Sequence, residues 1–268
     1  DIHLDHLKND QAIIDFIDRC KDDSFDGYLI TGDISNGVKI VEHLSMLEAG
    51  WQKQIMFCLG NHDFWHSSFS NVRRRMGELQ NLSPLIKYVT NCNYVPVSTE
   101  TAIVGHDGWY DGLNGDAKGS KFLMQDWLQI QEYAEITRGA QQFEDINKNS
   151  IIELSQKLAS DAVKHVHKSI KEAVRYHKHI VVLTHVPPWE EAHRHQGLPG
   201  NSHASPWFTS KMMGQLLESA ANSYKNVQFT VLCGHSHGHF RDQIKPNLTC
   251  HVGHADYVNP VIQDVYSF

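Results

Sequence analysis

Four short apolar runs in this chain each lead directly into polar residues whose side chains can bind metal ions. The runs are 27–31, 54–59, 180–184 and 227–233, and they are followed by Gly32-Asp33, Gly60-Asn61-His62-Asp63, His185 and Gly234-His235-Ser236-His237. Apolar runs of this length between glycines and polar residues are typical of buried strands. In open α/β sheets, ligands bind beside the carboxyl ends of the strands. The pattern therefore predicts an α/β fold that gathers these side chains at one edge, and Asp1-Ile2-His3 adds a fifth segment of the same type.

Amphipathic stretches alternate with the apolar runs, as is typical of an α/β domain. The periodicity predicts a helix over 9–20, a strand over 101–104, a last strand over 261–266 and a long helix over about 150–177. Ser150 and Glu153 form a capping-box pattern at the start of that long helix. Residues 112–149 are polar and contain glycines and aromatic residues. We therefore expect one domain over residues 1–268, with a helical insertion at about 112–178.

The charge and cysteine content limit the partners and the compartment of the protein. A net charge of −7 argues against non-specific binding to nucleic acid or to an anionic membrane. No run of 18 apolar residues is present, so we expect no membrane-spanning helix. The five cysteines include no CxxC pair, which favours free thiols in a reducing, cytoplasmic compartment. The chain opens on Asp1 without a preceding methionine, so a removed leader stays open as an alternative.

Seven residues in these segments are candidate metal ligands. They are Asp1, His3, Asp33, Asn61, His185, His235 and His237. One ion takes about four to six ligands, so seven candidates that include a carboxylate able to bridge predict two ions in one site. Ligands of the His, Asp and Asn types without Cys suit Mn, Fe, Zn, Ni or Co. Two such ions side by side can clamp an in-line displacement at phosphorus.

The five segments, in this order, resemble the motifs of the calcineurin-like metallophosphoesterase superfamily. The resemblance implies two packed mixed β-sheets flanked by helices, a four-layer α/β/β/α sandwich. It implies one metal held by Asp1, His3 and His237, a second held by Asn61, His185 and His235, and Asp33 bridging the two. A hydroxide that also bridges the metals would attack phosphorus. His62 would then protonate the leaving alkoxide.

The position of His62 supports that role independently of the resemblance. It follows a candidate ligand directly, so it lies near the metals without having to bind one. An imidazole with a near-neutral pKa can donate a proton to a departing oxygen, which contributes about 10²–10⁴-fold to a rate.

Differences from related families narrow the expected substrate to a small phosphodiester or phosphomonoester. The GNHD segment looks more like class III cyclic nucleotide phosphodiesterases and related small bacterial phosphoesterases than like protein Ser/Thr phosphatases. The latter carry an Arg after GD and a Glu after GNH, where this chain has Ile34-Ser35-Asn36-Gly37 and Asp63. Protein phosphatase activity is therefore only an alternative. Purple acid phosphatases have an iron-binding Tyr where this chain has Asn36.

Three further residues are candidates for substrate contact, each with a simpler interpretation. Asn36 either bonds a phosphate oxygen or makes an Asx-turn. Asp63 contacts substrate, orients His62 or caps the next helix, and His203 contacts substrate or lies on the surface. Two other functions stay open: a non-catalytic scaffold that keeps the fold, and a nuclease. The net negative charge of the chain disfavours nucleic acid as a partner and so argues against the nuclease. The sequence does not determine the oligomeric state.

Overall fold

A computed structural model of the chain describes residues 1–195 and 197–268. The strands are β1 (Gly27–Thr31), β2 (Gln54–Cys58), β3 (Ile86–Tyr88), β4 (Val95–Pro96), β5 (Thr101–Gly105), β6 (His179–Leu183), β7 (Arg194–His195), β8 (Leu198–Pro199), β9 (Gln228–Cys233), β10 (Phe240–Lys245) and β11 (Leu248–Val252). The α-helices are α1 (Asp10–Cys20), α2 (Ile40–Trp51), α3 (Phe69–Leu82), α4 (Asp126–Gln129), α5 (Gln131–Thr137), α6 (Lys148–Ala173), α7 (Ser205–Phe208) and α8 (Lys211–Ser223). Short 3-10 helices span Leu4–His6, His62–Phe64, Val89–Asn91, Phe143–Asp145 and Glu190–Ala192.

Two sheets carry the fold. The smaller has the order β1-β2-β3, and all its strands are parallel. The larger has the order β10-β11-β9-β6-β5-β4, with four parallel strands in the middle and antiparallel β10 and β4 at its edges. The strands expected from the apolar runs that precede the metal-ligand segments are all present.

Side chains alternate along the strands and so divide the interior into three apolar layers. In β2, Ile55 and Phe57 pack in the cluster that includes helices α1 to α3, whereas Met56 and Cys58 face a separate cluster between the two sheets. In β6, Val181 and Leu183 join the cluster between the sheets, and the intervening residues pack with α6 and α8. Because successive side chains of a strand point to opposite faces, each sheet is covered on both sides. The expected four-layer α/β/β/α arrangement is confirmed.

The long helix α6 begins earlier than the capping-box pattern predicts. Asn147 is the N-cap residue, and its side-chain oxygen accepts a hydrogen bond from the Ser150 N–H at 3.3 Å. The predicted cap at Ser150 is therefore wrong, because an asparagine one turn earlier already satisfies the first free N–H groups. The helix packs against β5 and α8. In the portion of the chain that the structure describes, no helix is long and apolar enough to cross a membrane.

The C-terminal segment differs from the expected last strand over 261–266. These residues form no strand and instead line a cavity of about 670 Å³ beside the free edge of β1. A run rich in β-branched residues forms a strand only where a neighbouring strand pairs with its backbone groups, and among the described residues 261–266 pairs with none. The hairpin β10–β11, which the sequence did not predict, ends the larger sheet instead.

Candidate metal centre

The carboxyl ends of the two sheets meet at one site. Thr31 and Cys58 are paired at the ends of β1 and β2, and Leu183 and Leu232 are paired near the ends of β6 and β9. His185 joins the two sheets, because its Nδ1 lies 2.8 Å from the Thr31 carbonyl. The segments after these strands therefore start at the same edge, and their polar side chains converge there.

Glycines allow this convergence at two positions. A Cβ on Gly60 would overlap the Asp33 carboxylate, and a Cβ on Gly234 would overlap the Asp1 carboxylate. The backbone of each glycine is thus in contact with an acidic side chain of the site.

A first group of possible ligand atoms comes from Asp1, His3, Asp33 and His237, all within 4.8 Å of one another. The Nε2 atoms of His3 and His237 are 3.2 Å apart. The Asp1 Oδ2 lies 3.7 Å from His237 Nε2, and the Asp33 Oδ2 lies 3.7 Å from His3 Nε2. Two carboxylates and two imidazoles thus face one small volume.

A second group comes from Asp33, His185 and His235, again within 4.8 Å. Asp33 Oδ1 is 3.4 Å from His185 Nε2. The Asn61 Oδ1 joins this group, at 3.0 Å from His185 Nε2 and 2.8 Å from His235 Nδ1. Asp33 therefore belongs to both groups, with one carboxylate oxygen directed to each.

The backbone is strained at four of these residues. His3, Asp33, His235 and His237 have φ angles of 41°, 49°, 66° and 57°. Non-glycine residues rarely adopt the left-handed region, and such residues concentrate at functional sites. The backbone at these residues thus gives up some local stability to hold their side chains in position.

The electrostatics of both groups suit a cation. Burial lowers the pKa of His3 to about 2, of His235 to about 3 and of His237 to about 4, so these rings are neutral at pH 7 and keep a free lone pair. The side chains of Asp1 and Asp33 are each 1% exposed. Where these three neutral imidazoles face the buried carboxylates, they supply no compensating positive charge. Among the described residues, Asp1 Oδ1 and His3 Nδ1 also lack a hydrogen-bond partner. The residues present therefore fit metal ions.

Two supporting contacts were not found by sequence reasoning. Asp126, at the start of α4, accepts hydrogen bonds through Oδ1 from Asn61 Nδ2 and Trp65 Nε1, both at 2.8 Å. The first bond fixes the Asn61 amide so that its oxygen faces the second group. The Trp207 carbonyl accepts from His235 Nε2 at 3.0 Å, which leaves His235 Nδ1 as the lone-pair atom. Nothing local in the sequence marks Asp126 or Trp207, since both reach the site through tertiary packing.

His62 lies beside the first group. Its ring stacks on Trp65 at a centroid distance of 3.6 Å and contacts the His3 ring edge-on at 4.7 Å. Burial lowers the pKa of His62, and this effect outweighs the opposite effect of the Asp33 and Asp126 carboxylates, which raise it. His62 also forms a third possible ligand group with His3 and His6. Sequence reasoning missed His6, although its three-residue spacing from His3 was a signal that could have found it.

The three candidate substrate residues lie in different surroundings. Asp63 is fully buried, and its carboxylate accepts three backbone N–H groups, from Ile34 and Ser35 at Oδ1 and from Gly60 at Oδ2. It therefore holds the two motif loops together. The Asn36 side chain makes an Asx-turn with the N–H of Val38 and donates to Asp5. His203 is exposed, and its main chain donates to the Asn201 side chain and accepts from the Ser120 hydroxyl.

Comparisons with known proteins agree with this fold. A family model described as calcineurin-like phosphoesterase matches residues 1–239. The fold is similar to that of a phosphopantetheinyl hydrolase from Mycobacterium tuberculosis, with a TM-score of 0.64, 13% identity, and coverage of 95% of this chain and 86% of that one. It is also similar to a dimetal phosphatase from Danio rerio, with a TM-score of 0.55, 14% identity, and coverage of 93% and 79%. No curated protein sequence matches this chain. At these identities the structural likeness shows the fold alone.

Proposed function

The chain belongs to the calcineurin-like phosphoesterase family, and from that membership we propose that it is a dinuclear metal-dependent phosphoesterase acting on small phosphate esters. The observation that carries this proposal is the pair of ligand groups that share Asp33. A single carboxylate common to two clusters is the arrangement that places two ions side by side. Such a pair suits in-line displacement at phosphorus.

Each group has its own set of proposed ligands. Asp1, His3 and His237 would hold one ion, Asn61, His185 and His235 would hold the other, and Asp33 would contact both. The nitrogen and oxygen donors suit Mn, Fe, Zn, Ni or Co. When bound, the ions supply Lewis-acid charge and lower the pKa of a bound water.

The proton donor that we propose is His62. Its main-chain N–H donates to Asp33 Oδ1 at 2.9 Å, which places the residue next to the shared carboxylate. Stacking on Trp65 limits rotation of the ring, so an imidazole nitrogen is held ready to donate to a leaving oxygen. The alternative is that His62, with His3 and His6, binds an ion itself.

The proposed substrate is a small phosphodiester or phosphomonoester, not a phosphoprotein. The segment 34–37 after Asp33 contains no arginine that could clamp a phosphate. The Asn36 amide in that segment is engaged with Asp5. The names of the two similar structures, a phosphopantetheinyl hydrolase and a dimetal phosphatase, support phosphate ester chemistry in general.

Metal stoichiometry and turnover together test this function. Protein loaded with excess Mn should contain two equivalents by elemental analysis, and it should hydrolyse 4-nitrophenyl phosphate or its diester. Asp33→Asn should lower the content below one equivalent, because both ions lose a ligand, whereas His185→Ala should loosen mainly one. Asp161→Asn, which removes a 56% exposed carboxylate on α6, controls for the change in charge. A parent protein that binds one equivalent would contradict the dinuclear site, and full loading without turnover on any ester would favour the scaffold alternative.

A further inference from the structure

We infer that Tyr257 is a specificity-determining residue, which covers the first ligand group and restricts the width of the leaving group. This inference rests on the proposed function. Tyr257 belongs to the segment 253–260 that follows β11. Of the candidate ligands, only His235 and His237 are near this segment in the sequence.

The Tyr257 ring packs directly on the histidines of the site. Its centroid lies 4.4 Å from that of His3, 4.7 Å from that of His6, 5.0 Å from that of His237 and 6.2 Å from that of His62. Rings at such distances are in contact, so no substituent of a substrate can pass between Tyr257 and His3. The tyrosine therefore closes one side of the site beside the proposed proton donor.

The segment that carries Tyr257 is fastened on both sides of it. His254 Nδ1 donates to the His237 carbonyl at 2.8 Å, and Arg19 Nη2 donates to the Pro260 carbonyl at 2.8 Å. Ala255 and Pro260 are buried, whereas Tyr257 itself is 38% exposed. The ring is thus a fixed wall, with one part packed on the site and another part open to an arriving molecule.

A fixed wall beside His62 selects against width at the leaving-group oxygen. A narrow leaving group can depart past the tyrosine, whereas one with substituents beside the ester oxygen collides with the ring. Discrimination of about tenfold or more is usual when a pocket must accept one or two additional methyl groups.

The test compares 4-nitrophenyl phosphate with 2,6-dimethyl-4-nitrophenyl phosphate in Mn-loaded protein. The ratio of interest is kcat/KM for the wide, dimethylated ester divided by kcat/KM for the narrow ester. We expect Tyr257→Ala to raise this ratio about tenfold. Tyr257→Phe keeps the ring and should leave the ratio within about twofold, and so should Tyr176→Ala, which removes a tyrosine that is 69% exposed beyond α6. Elemental analysis must show equal metal content in all four proteins.

Equilibrium binding gives a readout that does not depend on turnover. Calorimetry measures the affinity of each protein for phenylphosphonate, the narrow ligand, and for 2,6-dimethylphenylphosphonate, the wide one. Tyr257→Ala should raise the affinity for the wide ligand, relative to that for the narrow ligand, by the same factor as the ratio of kcat/KM. An unchanged ratio in both assays overturns the inference, and so does a Tyr257→Phe variant that behaves like Tyr257→Ala. If neither ester is hydrolysed by any of the proteins, the proposed function fails, and the binding ratio alone decides whether Tyr257 restricts width.

Discussion

Removing the Asp126 carboxylate should weaken one of the two proposed metal sites and spare the other. Asp126 is buried and holds the Asn61 amide through a 2.8 Å hydrogen bond. In Asp126→Ala the amide loses this partner and can rotate, so its NH₂ group can replace its oxygen opposite His185 and His235. The first group keeps its geometry, because the side chains that donate to Asp126, those of Asn61 and Trp65, do not belong to it.

The expected loss of metal affinity in Asp126→Ala follows from the type of contact that is removed. Loss of a group that orients a metal ligand costs about 10–100-fold in affinity, or about 1.4–2.7 kcal/mol. Asp126→Asn should cost much less, because the amide oxygen can still accept from Asn61 and Trp65. Burial raises the pKa of Asp126, so the ionised carboxylate opposes folding at neutral pH. Metal-free Asp126→Asn should therefore unfold at a temperature no lower than that of the parent.

Titration against a competing chelator measures the two affinities separately. We expect one Mn equivalent to be released at about 10–100-fold lower chelator concentration in Asp126→Ala, while the second is released as in the parent. Asp161→Ala, which removes an exposed carboxylate, is the matched control. Equal weakening of both ions, or of neither, would refute the argument that Asp126 acts through Asn61.

Two other predictions address the chemistry and the close packing of the site. Replacing His62 with Ala should leave both metals bound and reduce turnover by about 10²–10⁴-fold, with a larger loss for alkyl than for nitrophenyl esters. Metal loss in that variant would make His62 a ligand, and equal losses for all leaving groups would exclude proton donation. Gly60→Ala should reduce metal content, because the new Cβ would overlap the Asp33 carboxylate, whereas Gly77→Ala in α3, with its nearest neighbour at 3.3 Å, should bind metal normally. A fully loaded Gly60→Ala protein, by elemental analysis, would show that the loop moves without disturbing Asp33.

The positions of the motif-bearing strands along the chain and the polar residues at their ends could be predicted from the sequence because both are local properties. Apolar runs of five to seven residues form strands almost wherever they are buried, and the carboxyl ends of parallel strands meet at one edge. That is why Asp33, Asn61, His185 and His235 could be expected together. The same reasoning failed for 261–266, because its composition did not show whether another strand would pair with it.

A strand end alone does not show where its polar residues point. His106-Asp107 follows β5 just as the candidate metal-ligand segments follow their strands. Yet the Asp107 carboxylate is buried against Arg73 Nε at 3.0 Å and the Tyr88 hydroxyl at 2.7 Å. The arginine compensates its charge, and Asp107 ties α3 and β3 to the larger sheet. Asp33 and Asp1 differ because imidazoles, not a guanidinium, surround them.

The sequence by itself determined the fold class, the strand ends and the types of candidate metal ligand, because these depend on local periodicity and on the chemistry of single residues. Only the tertiary structure decided which residues orient those ligands and which cover them. Asp126 and Tyr257 lie far from Asn61 and His3 in sequence, and no periodic pattern marks either one. Their contacts exist because α4 and the segment after β11 are brought by long-range packing to the edge where the two sheets meet.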